Sequence, residues 1–97
     1  MSMEIRGGVP RVFRNAVPVV GLEHALESVS KFGQIWNTGA NALRVYFRLE
    51  DFTADANFRE LAATTGFLEG PLELSKIWFR AVGGATAVES IFYARRG

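Results

Sequence analysis

The sequence predicts an α+β fold of the split βαβ kind: a four-stranded antiparallel sheet with two helices on one face. Three observations carry this. Residues 42–49 alternate Leu43, Val45, Phe47 and Leu49 against Arg44, Tyr46 and Arg48, the period of a half-buried strand. Leu22, Ala25, Leu26, Val29 and Phe32 recur at helical spacing. The apolar and polar runs follow the order strand, helix, strand, strand, helix, strand.

Taken in order, residues 12–20 are rich in Val and Phe between Pro10 and Pro18, which suits a strand with an irregular end. The first helix has Glu23 and Glu27 near its start, Lys31 in its last turn and Gly33 to end it. Residues 34–38 read as a short strand, and Gly39-Ala-Asn41 turns the chain back into the strand over 42–49. A second helix begins near Thr53, with Ala54, Phe58, Leu61, Ala62 and Thr65 on one face and Gly66 closing it. After the Gly70-Pro71 turn, residues 74–81 alternate again, Ile77 and Phe79 opposite Lys76, Trp78 and Arg80. Beyond Gly83-Gly84 the tail reads either as a strand or as a helix. Ile91-Phe-Tyr93 favours strand, whereas Thr86-Ala-Val-Glu89 forms a capping-box pattern.

Length and composition set limits on function. The 97 residues suit one domain, read as 10–97 behind a flexible leader over 1–9. Absence of cysteine excludes disulfides and a thiolate nucleophile or metal ligand. Eleven basic and ten acidic residues give a net charge of +1, so only the placement of charge can support binding to an anionic polymer. Nothing in the sequence resembles a membrane span or a signal peptide, which implies a nuclear or cytoplasmic protein.

Chemistry-bearing residues are sparse. His24, the one histidine, lies off the helical stripe and reads as a surface residue. Ser28 and Ser30 have no base beside them, and Gly7-Gly8 and Gly83-Gly84 lack the Lys-Ser/Thr of a phosphate loop. An enzyme is not expected, nor a metal or small-molecule cofactor.

Residues 12–81 resemble an RNA recognition motif (RRM) domain, a ferredoxin-like βαββαβ sandwich. The likeness rests on Val12-Phe-Arg-Asn-Ala-Val-Pro18 as the first-strand signature and Lys31-Phe-Gly-Gln-Ile35 as the exit from the first helix. Ala42-Leu-Arg-Val-Tyr-Phe-Arg-Leu49 with Glu50-Asp51 matches the third strand, and residues 70–79 the last loop and strand. Arg44 and Tyr46 stand where the third-strand signature usually has two aromatics, and Arg14 replaces an aliphatic residue.

The resemblance implies single-stranded RNA bound on an open sheet face. Phe13, Tyr46 and Trp78 would stack bases, and Arg44, Arg48, Lys76 and Arg80 would neutralise phosphates; Arg95-Arg96 reads either as an extension of that basic path or, more often for such a pair, as solvated tail. Two alternatives use the same residues. The C-terminal segment could cover the face, or the face could dock a protein. For the second, Asn37-Thr-Gly-Ala-Asn41 leading into residues 43–47 is similar to the nucleoporin-type RRM-like domain, whose sheet pairs two protomers as a homodimer.

Overall fold

The computed structural model describes residues 9–26 and 29–94. Among these described residues lie eight strands and one short helix: β1 (Val9–Val17), β2 (Leu22–Ala25), β3 (Ser30–Asn37), β4 (Ala42–Tyr46), α1 (Leu49–Ala54), β5 (Arg59–Leu61), β6 (Phe67–Gly70), β7 (Lys76–Val82) and β8 (Thr86–Ala94). They form two four-stranded antiparallel sheets, ordered β1-β8-β3-β6 and β2-β7-β4-β5. Consecutive strands change sheet at every connection except β4 to β5. This is the eight-stranded jelly roll, two sheets wound together as Greek keys. It replaces the expected βαββαβ sandwich with two helices.

Both expected helices are corrected. Residues 22–32 hold β2 and the start of β3. Leu22 and His24 pair with Phe79 and Ile77 of β7 and so face the interior with them. Leu26 is buried, and its N–H donates to the Ser75 carbonyl at 2.9 Å. Gly33 caps no helix. It lies within β3, where a Cβ would stand 2.7 Å from the Phe92 ring. The helix expected from Thr53 is instead the one-and-a-half-turn α1, which ends at Asp55 in the left-handed region (φ 53°), followed by β5. Glu27 and Ser28, the leader residues 1–8 and Arg95-Arg96 lie outside the described residues. Val9 belongs to β1.

The expected strands are present, with different partners. β3 and β4 do not form a hairpin across Gly39-Ala-Asn41, and β7 does not pair with β8 across Gly83-Gly84; each turn carries the chain between sheets. Of the two readings of the tail, the strand is observed. β8 is central in its sheet, flanked by β1 and β3.

The core lies between the sheets. Leu43 and Val45 of β4 and Ile77, Phe79 and Ala81 of β7 face Val17, Ile35, Val88 and Phe92 of the other sheet. Burial at roughly 25 cal/mol per Å2 makes this layer the main stabilising term. At one end of it the three crossings β3 to β4, β5 to β6 and β7 to β8 meet at Asn37, which is fully buried. Its Nδ2 donates to the carbonyls of Asn41 (2.8 Å), Leu61 (3.1 Å) and Ala62 (3.1 Å). Its Oδ1 accepts from the Gly39 N–H (3.1 Å) and the Thr86 hydroxyl (2.9 Å). Gly39 must be glycine for a related reason: a Cβ there would come 2.4 Å from the Ala87 backbone nitrogen.

Removing the amide leaves buried groups of three connections unpaired, at about 1–3 kcal/mol for each group that water cannot reach. Asn37→Ala is therefore expected to lower unfolding free energy by about 3 kcal/mol or more, read from the midpoint of a urea titration. Asn37→Asp, which turns an acceptor oxygen toward three carbonyls, should be no milder.

Candidate functional site

Period-two alternation placed Arg44, Tyr46, Lys76, Trp78 and Arg80 on one face, and the structure does bring them together. Arg44 pairs across the β4–β7 ladder with Arg80, and Tyr46 with Trp78, so all point to the outer side of the β2-β7-β4-β5 sheet. That face is covered. Tyr46 is 0% exposed and Trp78 8%, leaving neither ring a free surface for a base. The cover is α1 with the turn that follows it: Phe52 and Phe58 meet the Tyr46 ring edge-on at 5.3 and 5.7 Å.

The expected phosphate-binding cations are paired with carboxylates of the same chain. Arg44 bonds Asp55 (2.8 Å) and Glu60 (3.1 Å) and lies 4.3 Å over the Phe58 ring. Arg80 reaches Asp55 at 3.4 Å and stacks over Phe52 at 4.4 Å. Lys76 faces Glu23 at 3.7 Å, and Glu23 also accepts from the Trp78 indole at 3.1 Å. Arg48 sits at the N-terminus of α1, exposed and bonded to Glu50. Phe13 belongs to the other sheet. It pairs with Ser90, points inward and meets the His24 ring edge-on at 4.3 Å. His24, expected on the surface, is thus a half-buried interior residue.

The open aromatic face is on the opposite side of the molecule. On the outer side of the β1-β8-β3-β6 sheet, cross-strand register aligns Val12 with Ile91, Phe32 with Tyr93 and Trp36 with Phe67. Phe32 and Tyr93 have ring centroids 5.9 Å apart, Trp36 and Phe67 5.1 Å. Val12 is 55% and Phe67 45% exposed; Ile91, Phe32, Trp36 and Tyr93 are half-buried. Next to the Trp36–Phe67 pair is a hollow of about 380 Å3, floored by Ala16 and Ala87 and rimmed by Arg14, Thr38 and Glu89. Arg14 and Glu89 are joined at 2.6 Å, and Gln34 donates to Glu69 at 2.8 Å.

Sequence reasoning passed over these residues because 22–32 was read as a helix, which placed Phe32 on its stripe and left Trp36 in a short strand. A signal was present. Phe32, Gln34 and Trp36 alternate with Gly33, Ile35 and Asn37, as Ile91 and Tyr93 alternate with Ser90 and Phe92.

Among the described residues no cluster of three or more His, Asp or Glu side chains is placed to hold a metal ion. Among them, too, no helix is long and apolar enough to cross a membrane.

No protein-family model matches the chain, and no curated protein matches it in sequence. Solved structures do. An HTH_3 family transcriptional regulator from Vibrio cholerae aligns with a TM-score of 0.63 at 12% identity, over 90% of this chain and 44% of the regulator. The likeness is one of fold. The SPBc2 prophage-derived protein YomS aligns with a TM-score of 0.53 at 14% identity, over 94% of this chain and all of YomS. This chain spans less than half the length of the regulator it matches.

The Asp55 cluster has a definite pH signature. The hydrogen bond from Tyr46, aided by Arg44 and Arg80, holds the Asp55 carboxyl below its ordinary 3.8. Burial, with the Asp55 bond adding to it, raises the Tyr46 phenol above 10.0. A lowered carboxyl contributes stability above its unfolded value and loses it as pH falls through the folded one. A raised phenol contributes below 10.0 and loses it as pH climbs through its higher folded value. Asp55→Asn keeps a residue that tolerates the left-handed backbone but removes the charge. Its melting temperature should lie below that of the wild type near neutral pH, and the gap should close below about pH 3.8, measured by thermal unfolding across that range.

Proposed function

We propose that this chain is a protein-interaction module that docks through the outer face of its β1-β8-β3-β6 sheet. The observation that carries the reading is the pair of aromatic contacts, Phe32–Tyr93 and Trp36–Phe67, on either side of Gln34 and Glu69, with Phe67 exposed, the other three rings half-buried, and Val12 and Ile91 beside them. Soluble monomers rarely expose contiguous apolar patches beyond a few hundred Å2, and aromatics are the residues that anchor protein interfaces. On a sheet whose inner face already packs on the core, these rings add little to the fold beyond their cross-strand contacts.

Charge favours a protein over RNA as the occupant. Single-stranded nucleic acid needs stacking rings within a field of uncommitted cations. Among the described residues, the outer side chains of this face carry Arg14 against Glu89 and Glu69, which gives no net positive field. Arg44, Arg48, Lys76 and Arg80 spend their charge on Asp55, Glu60, Glu50 and Glu23. RNA binding through Phe13, Tyr46 and Trp78 would require α1 to lift from the sheet and Phe13 to leave the interior.

The test replaces Trp36 and Phe67 together by threonine, a good strand residue. Fluorescence of an apolar dye bound to the dilute protein should drop by at least half. The protein should stay folded, losing the pair's contact, about 1 kcal/mol, together with the apolar area the two rings already bury. A random single-stranded RNA pool at low salt should not be retained by either protein. Unchanged dye binding would remove the docking face. Salt-sensitive RNA retention that Arg44→Ala or Arg80→Ala abolishes would restore the basic-aromatic reading.

A further inference from the structure

Building on that docking face, we infer that its occupant is a second copy of this chain, held face to face across a two-fold axis. An isologous interface needs each feature and its complement on the same surface, because both copies present identical patches. This face meets that condition in shape. The exposed Phe67 ring packs on Trp36, and because Trp36 pairs in the β3–β8 ladder with Glu89, which lines the hollow, the hollow lies beside that pair. The Phe67 ring of one copy has a hollow of about 380 Å3 to enter on the other.

It meets the condition in charge as well. Arg14 keeps 77% of its side chain exposed although its Nε is bonded to Glu89. The other guanidinium donors are therefore free to reach across an interface. Glu89, 34% exposed, retains acceptor capacity. The patch is close to neutral, so a strongly acidic or strongly basic partner gains little from it, whereas a second copy can align Arg14 of each with Glu89 of the other.

Area points the same way. The nine residues of β8 at about 3.4 Å each, by four strands about 4.8 Å apart, give a face of roughly 500 Å2 in projection. Side-chain relief brings its accessible area toward the about 800 Å2 per partner of a standard interface. The dimer sits at the small end of that class, so its population depends on concentration.

Sedimentation velocity over a wide concentration range reads the idea out, using wild type, Arg14→Glu, Glu89→Arg and an equal mixture of the two variants. Wild type is expected to pass from monomer to dimer. Each variant alone faces like charge on like charge and should dissociate about tenfold more readily. The mixture should associate more tightly than either variant, since a negative face then meets a positive one. That rescue cannot arise from the intrachain Arg14–Glu89 contact, because neither chain in the mixture contains it.

A dimer indifferent to both substitutions would mean another surface pairs the copies, and would overturn the inference. So would wild type and mixture that both stay monomeric at the highest concentration. In that case, dye binding that depends on Trp36 and Phe67 would leave the docking face standing with a different protein as its occupant. Loss of that dye response would remove both ideas together.

Discussion

The fold depends on one buried side chain, the Asn37 amide. A jelly roll must carry its chain repeatedly between two sheets, and every crossing exposes backbone groups at the end of the core that neither ladder can satisfy. Asn37 gathers three such crossings: the turn after β3 through Gly39 and Asn41, the loop after β5 through Leu61 and Ala62, and the entry to β8 through Thr86. Neighbouring bonds reinforce the knot. Asn41 Nδ2 donates to the Ala85 carbonyl at 2.8 Å, and the Thr64 N–H to the Gly39 carbonyl at 2.9 Å. An apolar residue could fill the same space, but it would leave the carbonyls of two separate loops without partners in a dry region.

With that end fixed, the two sheets meet different fates on their outer sides. The chain leaving β4 makes one short helix, and the left-handed turn at Asp55 swings its carboxylate back over the strand it has just left. There it meets Tyr46, Arg44 and Arg80, while Phe52 and Phe58 supply faces for the two guanidinium groups. Arginines held half-buried against a sheet are costly unless both their charge and their flat faces are satisfied. This lid does both, so a basic-aromatic strand face becomes a closed structural layer. Among the described residues no helix covers the other sheet.

How much of this was legible follows from period and reach. The strands expected over 42–49 and 74–81 are observed over 42–46 and 76–82; the alternation assigned Arg44, Tyr46, Trp78 and Arg80 correctly to one face, whereas Arg48 and Leu49 belong to the start of α1. Their cover was not readable, since Glu23, Asp55 and Glu60 arrive from three different segments. Residues 22–32 misled because Leu22, Leu26 and Phe32 satisfy a helical stripe, while β2 turns Leu22 inside, Leu26 is buried just beyond it, and β3 turns Phe32 outside. No local spacing separates those cases; pairing with β7 and β8 decides them. The Asn37 knot was invisible for the same reason. An Asn before a Gly reads as turn chemistry, and that it also serves loops more than twenty residues away is a property of the topology.

The uncovered sheet then poses a question of magnitude. Two cross-strand aromatic pairs strengthen pairing by at most about 1 kcal/mol each, a benefit that β-branched residues would largely supply without inviting aggregation. If roughly 0.3 of each ring's 150–250 Å2 remains exposed, the four rings leave about 250 Å2 in water. Covering it on both copies of a dimer, about 500 Å2 in all, is worth about 12 kcal/mol gross. Association costs about 4–15 kcal/mol in lost freedom before any gain appears. The aromatics alone therefore bring two faces close to balance without carrying them far past it. The remaining margin must come from Val12, Ile91, the ridge entering the hollow and the Arg14–Glu89 charges. A contact poised in this way is decided by a few side chains at its edge, and on this sheet those side chains are the charged ones.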